Sequence, residues 1–362
     1  MGSIHMFDRN VVDHAIEKGI NYLLSLNANG RWKGFPTLAG ESDIWVTGFV
    51  LTHIYSLCEQ TDIIDATQNF LLQSRHPSGG WSYSAMVPPD ADSTAWCLMA
   101  LQQGNKLSGE ALQKSKVFLW NHFTGNGIST YSATSGIREF ISAPNNDLIA
   151  GWTAEHPDVS IAAALADLQN EKAPEILNWL TRQQTKDGFI NSYWWRGPYY
   201  ATTLLLRALS IYKYQLSEQH AKLIAEALAR EQFADGGFGL DLFERMDAFT
   251  TALALESFAH LSYTGYQAER NLCVNALLAA QQPNGSWAGD YILRIPAPYV
   301  TDPGQVASWN SAGGGGDSLV KDKDGIFATA MACYALDCRR RTETERDVLK
   351  TEGKANSEIK AN

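Results

Sequence analysis

The sequence lacks any apolar run near the roughly 18 residues that a membrane span needs, and its opening carries no secretory signal pattern. Charge is scarce: Asp, Glu, Lys and Arg make up 19% of the 362 residues, against about a quarter in an average globular chain. Basic side chains are the scarcer sign, 29 against 39 acidic ones, for a formal net charge of −10. That balance argues against nucleic acid or an anionic membrane surface as partner. Cysteine is limited to five residues, at 58, 97, 273, 333 and 338, inside apolar stretches and without close metal-type spacing. An odd count of this kind reads as reduced, buried thiols and a cytoplasmic location. No phosphate-cradling glycine loop occurs, since Gly313–Gly316 precedes no apolar helix start and reads as a loop tip. What is abundant is apolar: 45% hydrophobic residues, with Trp 11, Tyr 14 and Phe 14. This composition suits one large interior. The opening Met1–Met6 resembles a cloning remnant, so residues 1–10 read as a lead, 11–338 as a single folded unit, and the charged stretch 339–362 as a frayed tail.

A repeat organises that unit. A Gly-x-aromatic turn recurs and ends on Trp32, Trp81, Ile128, Phe189, Phe238 and Trp287. Each turn follows an amphipathic stretch, such as residues 66–73, 176–184, 223–232 or 272–282. Each precedes a segment apolar on nearly all sides, such as 94–101, 160–168, 202–209, 250–258 or 328–336. Amphipathic helices alternating with wholly apolar ones imply an outer ring around an inner ring. The expected fold is therefore all-α: an (α/α)6 toroid of six helix hairpins around a central cavity.

The repeats also act as controls on one another. The inner segments align on Thr47, Thr94, Thr251 and Thr329, with Thr202 or Thr203 in the fourth. Two residues before the Thr stand Trp45, Asp92, Phe249 and Phe327, and also Tyr200 if Thr202 is the match. One slot at the start of the inner helices is thus aromatic nearly everywhere and a carboxylate in the second repeat. Asp43, Asp158, Asp247 and Asp324 lie where a helix N-cap is expected, and Asp90 is compatible with a cap or a site role. Asp92 has no such structural excuse.

The segment Gln73-Ser74-Arg75-His76-Pro77-Ser78-Gly79-Gly80-Trp81 resembles the QW repeat of squalene-hopene and oxidosqualene cyclases, and Asp90-Ala91-Asp92-Ser93-Thr94-Ala95 resembles the DxDDTA acid motif of class II terpene cyclases. Ser93 departs from that motif. The resemblance implies that Asp92 is the proton donor to a polyene, with Asp90 as the neighbour that tunes it. It also implies an aromatic, water-free cavity wall, for which Trp45, Trp96, Trp194, Trp195, Tyr200, Phe249 and Phe327 are the candidates, although each aromatic taken alone is compatible with core packing. Residues 155–160 are similar to the stretch whose histidine hydrogen-bonds the acid in bacterial hopene cyclases. Asp158 matches, that histidine position is Ala162, and His156 either reaches the acid from the loop or is a loop histidine before a proline.

Three further readings follow. The zinc of protein prenyltransferases, which the fold also resembles, finds only Asp247 of its ligands, with Phe249 and Ala328 at the other positions. A glycosidase would need a second carboxylate facing Asp92, from Asp147, Glu155 or Asp302. A non-catalytic toroid that binds a lipid or protein is the third. Insertions over 129–155 and 288–324 are expected to cover one mouth as lids. Arg196, Arg245 and Arg294 lie on the loop side, where they could meet an anionic head group. The expected cofactor is none, with magnesium only if the substrate is a diphosphate. The expected partner is a small hydrophobic substrate, with a second subunit as one way of closing the cavity.

Overall fold

The computed structural model describes residues 9–214, 216–240, 245–261, 265–311 and 314–341. Most of the expected lead and tail lies outside them. At the edges, Arg9 opens the first helix, and Arg340 in the last helical turn pairs with Asp13 at 2.8 Å.

Among the described residues, twelve principal helices alternate between two rings. The outer ones are α1 (Arg9–Leu26), α3 (Thr61–Gln73), α5 (Gly109–Trp120), α8 (Ala173–Thr181), α10 (Glu218–Glu231) and α12 (Gln267–Ala280). The inner ones are α2 (Ile44–Ile54), α4 (Ala91–Gln103), α7 (Pro157–Ala166), α9 (Tyr199–Ile211), α11 (Ala248–His260) and α13 (326–341). α6 (Ile137–Phe140) is a single turn in the first insertion. In ring order α2 packs on α4, α4 on α7, α7 on α9 and α9 on α11. α13 completes the ring: Phe327 stacks on Phe49 of α2 at 3.8 Å between centroids and meets Phe249 of α11 at 6.4 Å. Residues in the inner helices are buried almost without interruption, whereas outer helices such as α10 bury only one stripe. Two antiparallel hairpins add to the helical frame, β1 (Gly34–Thr37) with β2 (Gly40–Ser42) and β3 (Tyr291–Ile295) with β4 (Ser318–Lys321).

One hydrogen bond recurs in all six repeats. The backbone N–H that closes each turn donates to a hydroxyl on the following inner helix: Trp32 to Thr47 (3.0 Å), Trp81 to Thr94 (2.9 Å), Ile128 to Ser160 (2.7 Å), Ile190 to Thr202 (2.9 Å), Phe238 to Thr251 (2.9 Å) and Trp287 to Thr329 (3.0 Å). The indole N–H groups of Trp32, Trp81 and Trp287 reach back to carbonyls of the preceding outer helix, each at 2.7 Å. A turn is thereby tied to both helices of its hairpin. In five of the six turns, the third with Asn126 being the exception, a glycine two residues before the bonded N–H lies at positive φ and against the next outer helix. A Cβ on Gly30 would come within 2.5 Å of Ala66 O, and one on Gly285 within 2.3 Å of Lys18 O in α1. The sixth turn thus docks on the first helix.

This bond corrects the sequence alignment at two points. In the fourth repeat Ile190, not Phe189, takes the aromatic's place, and Thr202 is the partner. In the third, Ser160 replaces threonine, which puts Asp158 in the slot two residues earlier. The slot therefore holds Trp45, Asp92, Asp158, Tyr200, Phe249 and Phe327. The cap expectations also divide. Asp90 and Asp247 accept from the N–H of Ser93 (2.7 Å) and Thr250 (2.8 Å). Asp43 makes no cap bond and instead pairs with Arg31 at 3.0 Å. Asp324 is displaced by Asp322, which accepts from Ile326 N and Ala328 N at 3.0 and 2.9 Å. Asp158 is one residue inside α7, and its carboxylate accepts from a loop instead.

The far end of the lumen is closed by charge. Arg207 forks onto Glu256 at 2.6 and 2.9 Å and donates to His53 Nε2 at 3.2 Å, while lying over the Tyr334 ring. Burial pushes the Glu256 carboxyl up, but Arg207 and His260 outweigh it and hold it down at about 2. The fold depends on the repeated hydroxyl, so Thr251→Val, which keeps the shape, is expected to cost about 1–3 kcal/mol in denaturant unfolding, and Thr251→Ser much less. Equal stability of the two variants would contradict this.

Candidate active site

The two insertions meet over the start of α4. Trp152 N and its indole N–H donate to the carbonyls of Pro298 (3.1 Å) and Pro296 (3.0 Å), and Tyr193 OH donates to Val300 O at 2.7 Å. Beneath them lies a cavity of about 480 Å³. Its floor carries Asp90, Asp92 and Ser93; its walls include Trp45, Tyr83, Tyr131, Trp152 and Trp194. Leu38 and Phe140 stand at its edge, 82% and 41% exposed, and show where it opens.

Each carboxyl has a different setting. Asp90 caps α4 and also accepts from Ser93 Oγ at 2.7 Å; burial nevertheless pushes it up to about 7. Asp158 accepts from the N–H of Tyr193 (3.2 Å) and Trp194 (2.9 Å). Burial raises its pKa against those two bonds. Arg294 grips the same loop from the other side, donating through Nε to Tyr193 O at 2.9 Å and through Nη2 to Ser192 O. This clamp stands Trp194 in the cavity wall. Asp92 has no backbone N–H to accept from. It keeps some accessible surface only because it faces the cavity, and burial, then Asp90, then Asp158, push its carboxyl well above the usual range.

The other expected residues are placed as follows. Trp195, Tyr200, Phe249 and Phe327 do not line this cavity; together with Phe35 and Phe49 they fill the centre of the lumen beside it. Trp195 stacks on Tyr200 at 4.1 Å and on Phe249 at 5.2 Å, and Trp45 lies 5.0 Å from Phe327. Trp195 from a loop and Phe35 from β1 thus join the inner-helix aromatics in packing the centre. Trp96 is fully buried beneath Asp92. His156 does not reach Asp92, because both ring nitrogens are used. Nε2 lies 2.8 Å from Gly151 O, so it donates; Nδ1 then accepts from Thr130 Oγ1 at 2.7 Å. Thr130 Oγ1 in turn accepts from the Trp194 indole at 2.7 Å. His156 therefore helps hold the wall. Arg196 donates to Tyr291 O at 2.8 Å, and Arg245 pairs with Asp290. Of the second carboxylates a glycosidase would use, Asp147 and Asp302 are exposed and Glu155 bonds Asn126 and Thr124 outside the cavity. No group of His, Cys, Asp or Glu among the described residues could hold a metal, and Asp247 is a cap. Tyr83, Tyr131 and Trp152 escaped the sequence reading. Tyr83 stacks on Trp45 at 5.8 Å, but it lies in a turn with no repeat signal; the other two belong to an insertion with nothing to align.

The profile of the prenyltransferase alpha-alpha toroid domain matches residues 5–127 and 199–294, more than half of the chain. The chain belongs to that family. Among solved structures, the toroid is similar to a protein from Actinoplanes, at 28% identity and TM-score 0.82, over 90% of this chain and 99% of that one. It is also similar to a variant of type II terpene cyclase MstE from Scytonema in complex with geranylgeranyl dihydroxybenzoate (substrate), at 26% identity and TM-score 0.83, over 91% and 97% of the two chains. Another variant of that cyclase, in complex with merosterolic acid A (product), gives 27% and 0.83 over the same shares. A search of curated proteins finds no match. This toroid is class II terpene cyclase-like. None of its described helices is long and apolar enough to cross a membrane.

The tautomer of His156 makes a direct prediction. Burial lowers its pKa to about 3, so it stays neutral and Nε2-protonated. Nitrogen-15 chemical shifts of its ring should not change between pH 5 and 8. A titration in that window would contradict the wall assignment.

Proposed function

We propose that this protein is an acid-initiated cyclase or isomerase of a polyene, of isoprenoid type, with Asp92 as the proton donor. The observation that carries the reading is the placement of one buried carboxyl, without backbone donors and beside two other acids, on the floor of an aromatic cavity that the chain's own loops cover. The Asp92 O–H transfers its proton to a substrate alkene carbon. The π pair becomes the new C–H bond, the neighbouring carbon becomes cationic, and Asp92 becomes a carboxylate. Further alkenes attack the cation in turn, and loss of a proton ends the reaction. Trp45, Tyr83, Trp152 and Trp194 would present ring faces to those cations, while the loops exclude water that would trap them. Asp90 raises the Asp92 pKa through its like charge; Asp158 does the same and fixes Trp194.

MstE's substrate, a geranylgeranyl chain on an aromatic acid, supports a substrate of similar bulk. The cavity lining is apolar or neutral except for Asp90 and Asp92, which suits a neutral head group better than a diphosphate. The reading requires no cofactor, magnesium entering only with a diphosphate, and no second subunit. A cytoplasmic location accords with five free thiols.

The test is product formation from a panel of geranylgeranyl dihydroxybenzoate, geranylgeraniol, squalene and geranylgeranyl diphosphate. Asp92→Asn should fold normally and lose activity by orders of magnitude, since an amide donates no carboxylic proton. Activity should be full at low pH and fall as pH rises through the raised Asp92 pKa. Asp90→Asn keeps the cap but removes the like charge, so this alkaline limb should move to lower pH. Turnover by Asp92→Asn at the parent rate would end the proposal.

A further inference from the structure

Buried polar atoms are nearly always hydrogen-bonded, and leaving one unpaired is costly. Three of the orphans in this protein cluster around one residue. The indole nitrogens of Trp45 and Trp96 and the hydroxyl of Tyr200 are buried and have no hydrogen-bond partner. Trp96 follows Asp92 by one turn on α4, which places both on one side of the helix. Trp45 shares the cavity with Asp92. Both indole N–H groups are close enough to favour the Asp92 carboxylate, although neither reaches hydrogen-bond geometry. Tyr200 senses Asp92 first among its charged neighbours and lies beside Trp96. Trp96 is 0% and Tyr200 2% exposed, so water does not satisfy them.

The far end of the same lumen shows that the fold can pair its buried polar groups, with Arg207, Glu256 and His53 fully engaged. At the acid it leaves donors unpaired. A donor without a partner while Asp92 is protonated gains one when Asp92 becomes a carboxylate. Its stabilisation then appears as the proton leaves and not before, which is the condition for lowering a barrier.

We propose that Trp96, with Trp45 and Tyr200 beside it, is a positioning residue for the acid: its buried indole N–H turns onto Asp92 as the proton passes to the substrate and holds the carboxylate until it is reprotonated. The inference rests on Asp92 being the proton donor. Trp96 is the member to test, because it does not line the cavity and its replacement leaves the substrate contacts in place.

Two replacements remove the N–H. Trp96→Phe is the simple one; 3-benzothienylalanine at position 96 keeps the two-ring shape and guards against a packing defect. Each is compared with the parent and with Asp92→Asn, using the best-processed member of the polyene panel. Loss of the N–H is expected to lower kcat about ten- to a hundredfold with KM little changed. The titratable groups facing Asp92 are Asp90 and Cys97 on its own helix, Asp158 from α7, Tyr200 from α9 and Tyr131 from the first insertion, all retained. The carboxylate should be less favoured, so the alkaline limb should move to higher pH, opposite to the effect of Asp90→Asn. Infrared titration of the protonated Asp92 carboxyl, assigned by its loss in Asp92→Asn, reads the same shift without turnover. If the benzothienyl protein has the parent's kcat and the parent's titration, the proposal is overturned. If Asp92→Asn is itself fully active, the donor assignment fails instead, and the two failures are distinct.

Discussion

The bond from each turn's N–H to a hydroxyl of the next inner helix is the constraint on which the remaining geometry depends. It ties a loop residue to a helix residue at a fixed register, six times over, at 2.7 to 3.0 Å. Because the same helix position is held in every repeat, the residue two places earlier is also held, at the mouth end and facing inward. The slot is therefore a property of the frame and its occupant is free to vary. Tryptophan, tyrosine and phenylalanine fill four of the six positions. The two carboxylates stand on adjacent helices, α4 and α7.

Those two aspartates show how environment divides one residue type into two roles. Asp158 lies beneath the loop that follows α8 and receives two backbone N–H groups, so it acts as a clamp. Asp92 lies beneath the open space that the insertions roof over and receives none, so burial and its two acidic neighbours dominate. The difference is in what each repeat places above the slot. A frame that dictates position without dictating partners is well suited to carrying a reactive group.

The ring itself was legible because periodicity and repetition are local signals that add up along the chain. Twelve alternating helices, the Gly-x-aromatic turns and Asp92 as the exception among its equivalents all follow from residues separated by known spacings. Slips occurred where one apolar residue could substitute for another. Phe189 next to Ile190 offers two candidates for one position, and the bond from Ile190 N to Thr202, with Gly188 at positive φ two residues before it, decides between them. Ser160 does the work of a threonine, which makes Asp158 look like a cap in the sequence and hides its place in the slot. The cap of the last inner helix was two residues off for a similar reason, Asp322 and Asp324 being alike in sequence. The cavity was the least legible part. Trp195 enters the lumen from a loop, and Tyr131 and Trp152 come from an insertion whose path no repeat constrains. A sequence can show that a lumen is aromatic without showing which rings fill it and which border the space that remains.

The two ends of that lumen differ in a way that bears on chemistry. At the far end a guanidinium, a carboxylate and two imidazoles satisfy one another, and Tyr334 covers the cation. Such a cluster is stable as it stands, and any proton movement within it would leave a buried charge without its partner. At the mouth end burial and two acidic neighbours push a carboxyl well above its usual range, while indole and phenol groups near it lack acceptors. There the movement of one proton creates a partner for groups that had none. The same low-dielectric interior therefore locks one end against ionisation and prepares the other for it, and the difference is made by whether the donors are already engaged.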